Sequence, residues 1–279
     1  MLDRFTADFR IYDEATMTDC ADPPKTRFFA LIPCAGQGSR ASTPLAKQYQ
    51  SIAGTAVVMH TLAAFAAVER LAGTLVVVAP GDAFFDATIA DPSFSVAACG
   101  GASRAESVLN GLQVLRHSGA QEHDWVLVHD AARCLIGVAQ INRLIDACQD
   151  DAVGGLLALK LPDTLKAEAG GRVVATVDRT DKWLAQTPQM FRVGALAEAL
   201  RKAGPAVTDE SSAMEAAGLR PRLVAGSAEN FKVTYPDDFR LAEAILLGRT
   251  GQASQPGQHP GVWADTTPCP AAAGICRKL

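Results

Sequence analysis

The sequence predicts an α/β fold: an open, mostly parallel sheet with helices on both faces and a β-hairpin arm standing off it. Three features carry this expectation. Short apolar runs without polar alternation recur along the chain, stretches of helical period separate them, and after Leu161 the rhythm breaks into a hairpin pattern. The runs Phe28–Pro33, Leu75–Pro80, Phe94–Cys99, Trp125–Asp130 and Gly155–Leu161 are rich in Val, Leu and Phe, as strands buried on both faces are. Between them, Thr55–Arg70, Asp82–Ala90, Ser103–Arg116 and Val138–Gln149 space their apolar residues three and four apart. Ser103 followed by Glu106 marks a helix start. Repeated strand–helix–strand units imply right-handed crossovers onto a parallel sheet, a Rossmann-like arrangement. In such sheets ligands bind outside the carboxyl ends of the strands, here residues 33–47, 80–82, 99–107 and 129–133.

Past Leu161, Thr164–Lys166 and Arg172–Val177 flank Gly170-Gly171 and read as two strands of a hairpin. An arm over about 162–182 has exposed backbone edges and is expected to reach a second subunit. Helices at Val193–Lys202, Thr208–Ala217 and Pro236–Leu247, with short strands at Arg222–Val224 and Phe231–Thr234, complete the domain. Residues 1–26 show no sustained period, and residues 249–279 gather Gly, Pro, Gln and Ala. Both read as mobile extensions around a folded unit at 27–248, and no second catalytic domain fits in the tail.

Composition narrows the classes. With 26 Lys plus Arg against 30 Asp plus Glu, the net charge of −4 disfavours long nucleic acid as a partner. No apolar run approaches the ~18 residues that span a bilayer, and the N-terminal stretch lacks the order of a secretory signal. Seven scattered cysteines without a Cys-x-x-Cys pair argue for reduced thiols and a cytoplasmic setting, not a disulfide scaffold or a structural zinc site.

The chemistry gathers in a few segments. Pro33-Cys34-Ala35-Gly36-Gln37-Gly38-Ser39-Arg40 directly follows the first strand. Its glycines permit a tight turn whose backbone N–H groups converge on a phosphate chain, and Arg40 and Lys47 add cations. It is neither a dinucleotide fingerprint, since Ala41 fills the third glycine position, nor a P-loop, which ends in Gly-Lys-Ser/Thr. A plain glycine turn would leave both cations unexplained. In His129-Asp130-Ala131-Ala132-Arg133 the carboxylate could hold Mg²⁺ or orient substrate, or cap a helix; Arg133 could grip a phosphate, and His129 reads as packing or bonding locally. Arg179, Thr208 and Lys232, taken singly, read as a solvated arginine, a helix N-cap and a strand-edge gatekeeper.

Together these segments resemble the 2-C-methyl-D-erythritol 4-phosphate cytidylyltransferases. The resemblance runs from about Arg27 to Leu247. It rests on Pro33–Arg40, Lys47-Gln48-Tyr49, Gly100-Gly101 with Arg104 and Ser107-Val108, His129–Arg133, Asp163-Thr164, Val177-Asp178-Arg179, Thr187-Pro188-Gln189, Thr208-Asp209-Glu210 and Lys232-Val233-Thr234. It implies a Mg²⁺-dependent transfer from CTP to 2-C-methyl-D-erythritol 4-phosphate, giving the CDP-linked alcohol with release of pyrophosphate. Arg40 and Lys47 would stabilise charge at the α-phosphate, and Arg179 and Lys232 would position the acceptor. The loop from Pro33 through Cys34, Ala35, Gly36 and Gly38 would hold the triphosphate, and Gly101, Ala102 and Ser107 would lie along cytosine and ribose. Asp130 and Ala131 would also contact the nucleotide, and Asp130 as metal ligand, with Arg133, Thr164 and Thr208, would line the metal and sugar-phosphate side. The arm would exchange across a homodimer, so that Thr164 and Arg179 complete the neighbour's site. Ala102 stands where the family often carries an acidic residue, which leaves backbone contacts to the nucleotide there. Cys34 and Ala46 replace the usual alanine and proline, and Cys34 raises the question of thiol sensitivity. Ribitol-5-phosphate cytidylyltransferases share many of these motifs, and a non-catalytic nucleotide-binding module is the reading from another class; retention of both Arg40 and Lys47 disfavours the latter.

Overall fold

The computed structural model describes residues 26–36, 46–85, 91, 93–204 and 207–253. The expectations for Gly38, Arg40, the N-terminal extension before Thr26 and the tail after Ala253 lie outside them. In chain order the elements are β1 (Phe28–Pro33), a short 3₁₀ turn at Lys47–Tyr49, β2 (Ser51–Ile52), β3 (Thr55–Ala56), α1 (Val57–Ala66), β4 (Leu71–Val77), β5 (Ser95–Ala97), α2 (Arg104–His117), β6 (Trp125–Val128), α3 (Val138–Cys148), β7 (Gly154–Lys160), β8 (Leu165–Ala169), β9 (Arg172–Val177), β10 (Trp183–Arg192), α4 (Val193–Ala203), α5 (Glu210–Ala216), β11 (Arg222–Ala225) and α6 (Pro236–Ala253).

Seven strands form the main sheet in the order β11-β7-β10-β6-β1-β4-β5. Pairings within β6-β1-β4-β5 and between β11 and β7 are parallel; β10 runs antiparallel to both neighbours. The unalternating apolar runs are explained by two cores. In β1, Ala30 and Ile32 face the cluster built with α1 and α3, while Phe29 and Leu31 face the cluster built with α2, α4 and α5. Period-two side chains thus feed both faces, and both are dry. A third cluster beneath α6 joins Ile52, Val57, Leu135, Val233 and Ala242.

Several expected elements differ. Residues 82–85 form turns, and the rest of the helix expected at Asp82–Ala90 lies outside the described residues. Phe231–Thr234 makes no ladder; one backbone bond, Val233 N–H to Ala132 O at 2.9 Å, ties it to the segment after β6. Helix α6 continues past Leu247, and Arg249 is tied back to Leu135 O at 2.9 Å and Glu229 at 2.6 Å. Strand β10 was absent from the expected set. Pro188 and the polar run Gln186-Thr187 disguise it, and the β7 register does break between Ala185 and Gln189. The hairpin β8–β9 forms its own two-stranded sheet, turning through Gly170 and Gly171 at φ 60° and 77°. Val173 and Val174 on it are 64% and 61% exposed. Among the described residues no helix is long and apolar enough to cross a membrane.

The entry to the sheet is clasped by Asp124, which is 1% exposed. Its oxygens accept the Arg27 N–H at 2.9 Å, the Arg27 guanidinium at 2.8 Å and the Gln121 N–H at 2.8 Å. Asp124→Ala would strand these donors where β1 and β6 begin. We expect a loss of about 2–4 kcal/mol, read as a fall of roughly 4–12 °C in Tm with the circular dichroism of the fold retained.

Candidate active site

A cleft of about 560 Å³ opens at the carboxyl ends of β1, β4 and β6. Its wall includes Pro33, Cys34, Ala35 and Gly36 after β1, Lys47 and Gln48 on the 3₁₀ turn, and Ala79 and Pro80 after β4. Gly100 through Arg104, Ser107, Asp130, Ala131, Ala132 and Lys232 close it. The loops meet at van der Waals limits: a Cβ on Gly100 would lie 2.3 Å from the Ala35 Cβ and 2.9 Å from Val78 O. Only glycine lets the 99–104 turn pass this close to the first loop.

Gln48 is buried and its side-chain amide donates to Cys34 O at 3.0 Å and Gly36 O at 2.7 Å, drawing both carbonyls toward itself. Lys47 Nζ donates to Val233 O at 3.0 Å, which joins residues far apart in sequence at the rim beside Lys232. At the start of α2, Ser103 caps by accepting from Glu106 N–H at 3.1 Å. The Glu106 carboxylate returns to the Ala102 N–H at 2.8 Å, and Ser107 Oγ accepts the Gly101 N–H at 3.0 Å while donating to Ser103 O at 2.9 Å. The backbone donors expected to meet a nucleotide at 101–102 are therefore already engaged by α2's own first turn.

Asp130 is the electrostatic centre. One oxygen accepts from Arg104 Nε at 3.0 Å, the other pairs with Lys232 Nζ at 2.8 Å, and Arg133 Nε lies 3.7 Å away. Burial alone would raise its pKa, but Arg104, Lys232 and Arg133 overcome that and hold the carboxyl well below the usual range. Arg104 forks onto Glu210 at 2.5 and 3.1 Å. Glu210 is fully buried with this one cation, and burial outweighs it, so its pKa moves up. Behind the cluster, Thr187 Oγ accepts the Asp130 N–H at 3.0 Å and meets His129 Nδ1 at 3.0 Å. His129 Nε2 contacts Arg133 O at 3.2 Å; a carbonyl only accepts, so Nε2 carries the proton and Nδ1 accepts from the threonine hydroxyl. Burial lowers the His129 pKa to about 3, which keeps the ring neutral. His129 is a satisfied structural group.

Other expected residues are placed elsewhere. Arg133 does not reach the cleft wall: its guanidinium donates to Asn230 O at 2.7 Å and Ala185 O at 3.3 Å, so the fork expected for a phosphate is taken up by carbonyls. Thr208 is exposed just ahead of α5, and Asp209, not Thr208, is the cap, accepting from Ser212 N–H at 2.9 Å. Thr164 and Arg179 are exposed at the two ends of the arm and do not line this cleft. Sequence reasoning left Gln48, Arg104, Thr187, Gln189 and Glu210 without roles, although each sits in a motif it had singled out.

Among the described residues no three His, Cys, Asp or Glu side chains converge to hold a metal by themselves. Asp130 is the carboxylate on this cleft, but Arg104 holds one of its oxygens and Lys232 the other, so it offers Mg²⁺ a ligand only beside cations already paired with it.

The sequence model of the family described as 2-C-methyl-D-erythritol 4-phosphate cytidylyltransferase (IspD) matches residues 28–248. A bifunctional IspD/IspF enzyme of Albidiferax ferrireducens is 67% identical over 233 residues, covering 83% of this chain. The chain spans 56% of that relative's length. A 2-C-methyl-D-erythritol 4-phosphate cytidylyltransferase of Paraburkholderia phymatum is 55% identical over 228 residues, covering 79% of this chain and 97% of its own. Among solved structures, a 4-diphosphocytidyl-2C-methyl-D-erythritol synthase superposes with TM-score 0.72 at 42% identity, covering 80% of this chain and 99% of that one. The Thermus thermophilus cytidylyltransferase does so with TM-score 0.66 at 32% identity, covering 78% and 98%.

Cys34 is 2% exposed, its thiol donates toward Tyr49 OH at 3.7 Å, and burial pushes its pKa up to about 12. At pH 8 the thiolate fraction is on the order of 10⁻⁴. We expect Cys34 to resist iodoacetamide in the native protein and to react after unfolding, as mapped by mass spectrometry; rapid native alkylation would contradict this.

Proposed function

The chain belongs to the 2-C-methyl-D-erythritol 4-phosphate cytidylyltransferase family, and on that premise we propose that its cleft joins CTP to 2-C-methyl-D-erythritol 4-phosphate. The products are 4-diphosphocytidyl-2-C-methyl-D-erythritol and pyrophosphate. The observation that carries this reading is the meeting of Lys47 and the Lys232 segment across the Val233 carbonyl, at a cleft walled by the first loop and by Asp130. Fixed ammonium groups opposite a loop of small residues suit a triphosphate and an anionic acceptor.

The chemistry asks for little else. The nucleophile is an acceptor phosphate oxygen, ionised near neutral pH, so no general base is required. It attacks the α-phosphorus of CTP, and the bond to the β-phosphate oxygen breaks. The barrier is the approach of two anions and the charge that accumulates during transfer. Positioning and cationic stabilisation lower such a barrier, each by several kcal/mol. Lys47, with Arg40, takes the α-phosphate, and Lys232 takes the acceptor side. Gly101 and Ser107 flank the nucleoside, the latter with one hydroxyl lone pair left to accept. Mg²⁺, held mainly by the triphosphate oxygens with Asp130 nearby, would offset triphosphate charge when bound.

The arm supports assembly as a homodimer. Its valines are exposed, it forms no ladder with the main sheet, and Thr164 and Arg179 lie away from their own cleft. In a dimer that exchanges arms, both residues would serve the neighbouring acceptor site.

Pyrophosphate release should occur with CTP and 2-C-methyl-D-erythritol 4-phosphate; turnover confined to ribitol 5-phosphate would replace the acceptor. Lys47→Ala should lower kcat at least ~100-fold with the fold intact, since a lost transition-state contact costs about 2.7–4 kcal/mol. Mixing inactive Lys47→Ala and Arg179→Ala subunits should restore part of the activity, and no recovery in verified mixed dimers would rule out arm exchange.

A further inference from the structure

Glu210 does not line the cleft, yet it is fully buried, and its partners lead back to the cleft. We propose that Glu210 is a positioning residue for the acceptor side, acting through Arg104 and Asp130 on the ammonium of Lys232. The inference rests on the reading above, in which Lys232 meets the acceptor phosphate.

Four charges alternate in sign along one line. Glu210 takes two guanidinium nitrogens of Arg104 at 2.5 and 3.1 Å, Arg104 Nε meets one oxygen of Asp130 at 3.0 Å, and the other oxygen holds Lys232 Nζ at 2.8 Å. Lys232 and Arg104, with 34% and 28% of their side chains exposed, open to the cleft; Asp130 is 11% exposed and Glu210 0%. The buried end is also fixed from outside the line. Gln189 donates to Asp209 Oδ2 at 2.8 Å and accepts from Ser211 N–H at 2.7 Å, gripping the residues on both sides of Glu210. Two residues earlier on β10, Thr187 grips the backbone of Asp130. One strand therefore sets the separation between the two carboxylates, and the length of Arg104 fills it.

Glu210 is needed because a guanidinium prefers to fork onto a carboxylate. While Glu210 anchors the far end of the guanidinium through both terminal nitrogens, Arg104 meets Asp130 through Nε alone, and the second Asp130 oxygen stays with Lys232. With Glu210 neutral, that far anchor weakens, Arg104 shifts toward Asp130 and forks onto both its oxygens, and Lys232 loses its anchor.

The test is Glu210→Gln in the full chain, which keeps shape and removes charge. Steady-state kinetics well below Tm should show the KM for 2-C-methyl-D-erythritol 4-phosphate raised at least ~10-fold, with the KM for CTP within ~2-fold. A purely structural Glu210 would lower Tm and leave both constants per folded molecule unchanged; that result, or an equal rise in both, overturns the proposal. A crystal structure of the variant should show the Lys232–Asp130 pair broken, and an intact pair also overturns it. If the wild type releases no pyrophosphate with this acceptor, the functional reading falls, and the crystallographic comparison still decides the role of Glu210. Should Glu210→Gln fail to fold, Glu210→Asp is read in its place. Its shorter carboxylate cannot keep both guanidinium contacts, so the acceptor KM should rise at least ~3-fold, and an unchanged value overturns the proposal.

Discussion

Asp130 lies almost out of water at the end of a central strand, with Arg104 on one oxygen and Lys232 on the other. A buried carboxylate is stable only when matched by charge and hydrogen bonds. Here the matching groups come from α2, from the segment after β6 and from the segment before α6. Satisfying one anion therefore fixes where three distant parts of the chain meet. Lys232, on the cleft wall, is held in place by the same pairing that stabilises the fold, so its charge is set before a ligand arrives. Such pre-set charge is what a reaction between two anions requires.

Strand β10 gives this arrangement its rigidity. It enters the parallel sheet in the opposite sense, between β6 and β7, and carries buried polar side chains where its neighbours carry apolar ones. Gln186, Thr187 and Gln189 bond outward to Ser227 and Asn230, to Asp130 and His129, and to the start of α5. The strand serves as a polar rail among hydrophobic ones, and its side-chain bonds hold α5 and the segments around Asp130 and Asn230 in one arrangement.

The parallel half of the fold was legible because burial on two faces leaves a plain mark: β1 and β6 have almost no polar residue to interrupt them. The hairpin was legible through Gly170-Gly171. Strand β10 was not, since local pattern rules read Pro188 and three polar residues as a loop, and only tertiary partners reverse that reading. At the site, Lys47, Asp130 and Lys232 were found as cleft residues from type and motif. Arg133 looked equally suited to phosphate, but backbone carbonyls of Asn230 and Ala185 claim it, and a sequence does not reveal which carbonyls come to lie near a guanidinium. Glu210 was overlooked because an acidic residue in a first helical turn looks like an ordinary favourable charge at a helix N-terminus.

The bond from Lys47 to the Val233 carbonyl spans nearly the whole folded unit. On the ribosome β1, β4 and β6 emerge before the α3, α4 and α5 side chains that cover them, and Asp130 must wait for a lysine made about a hundred residues later. A nascent chain halted before that point carries an incompletely neutralised anion at the end of its central strand. Maturation of the cleft is thus coupled to synthesis of the segment around Lys232, and a chain stopped before it lacks this pair.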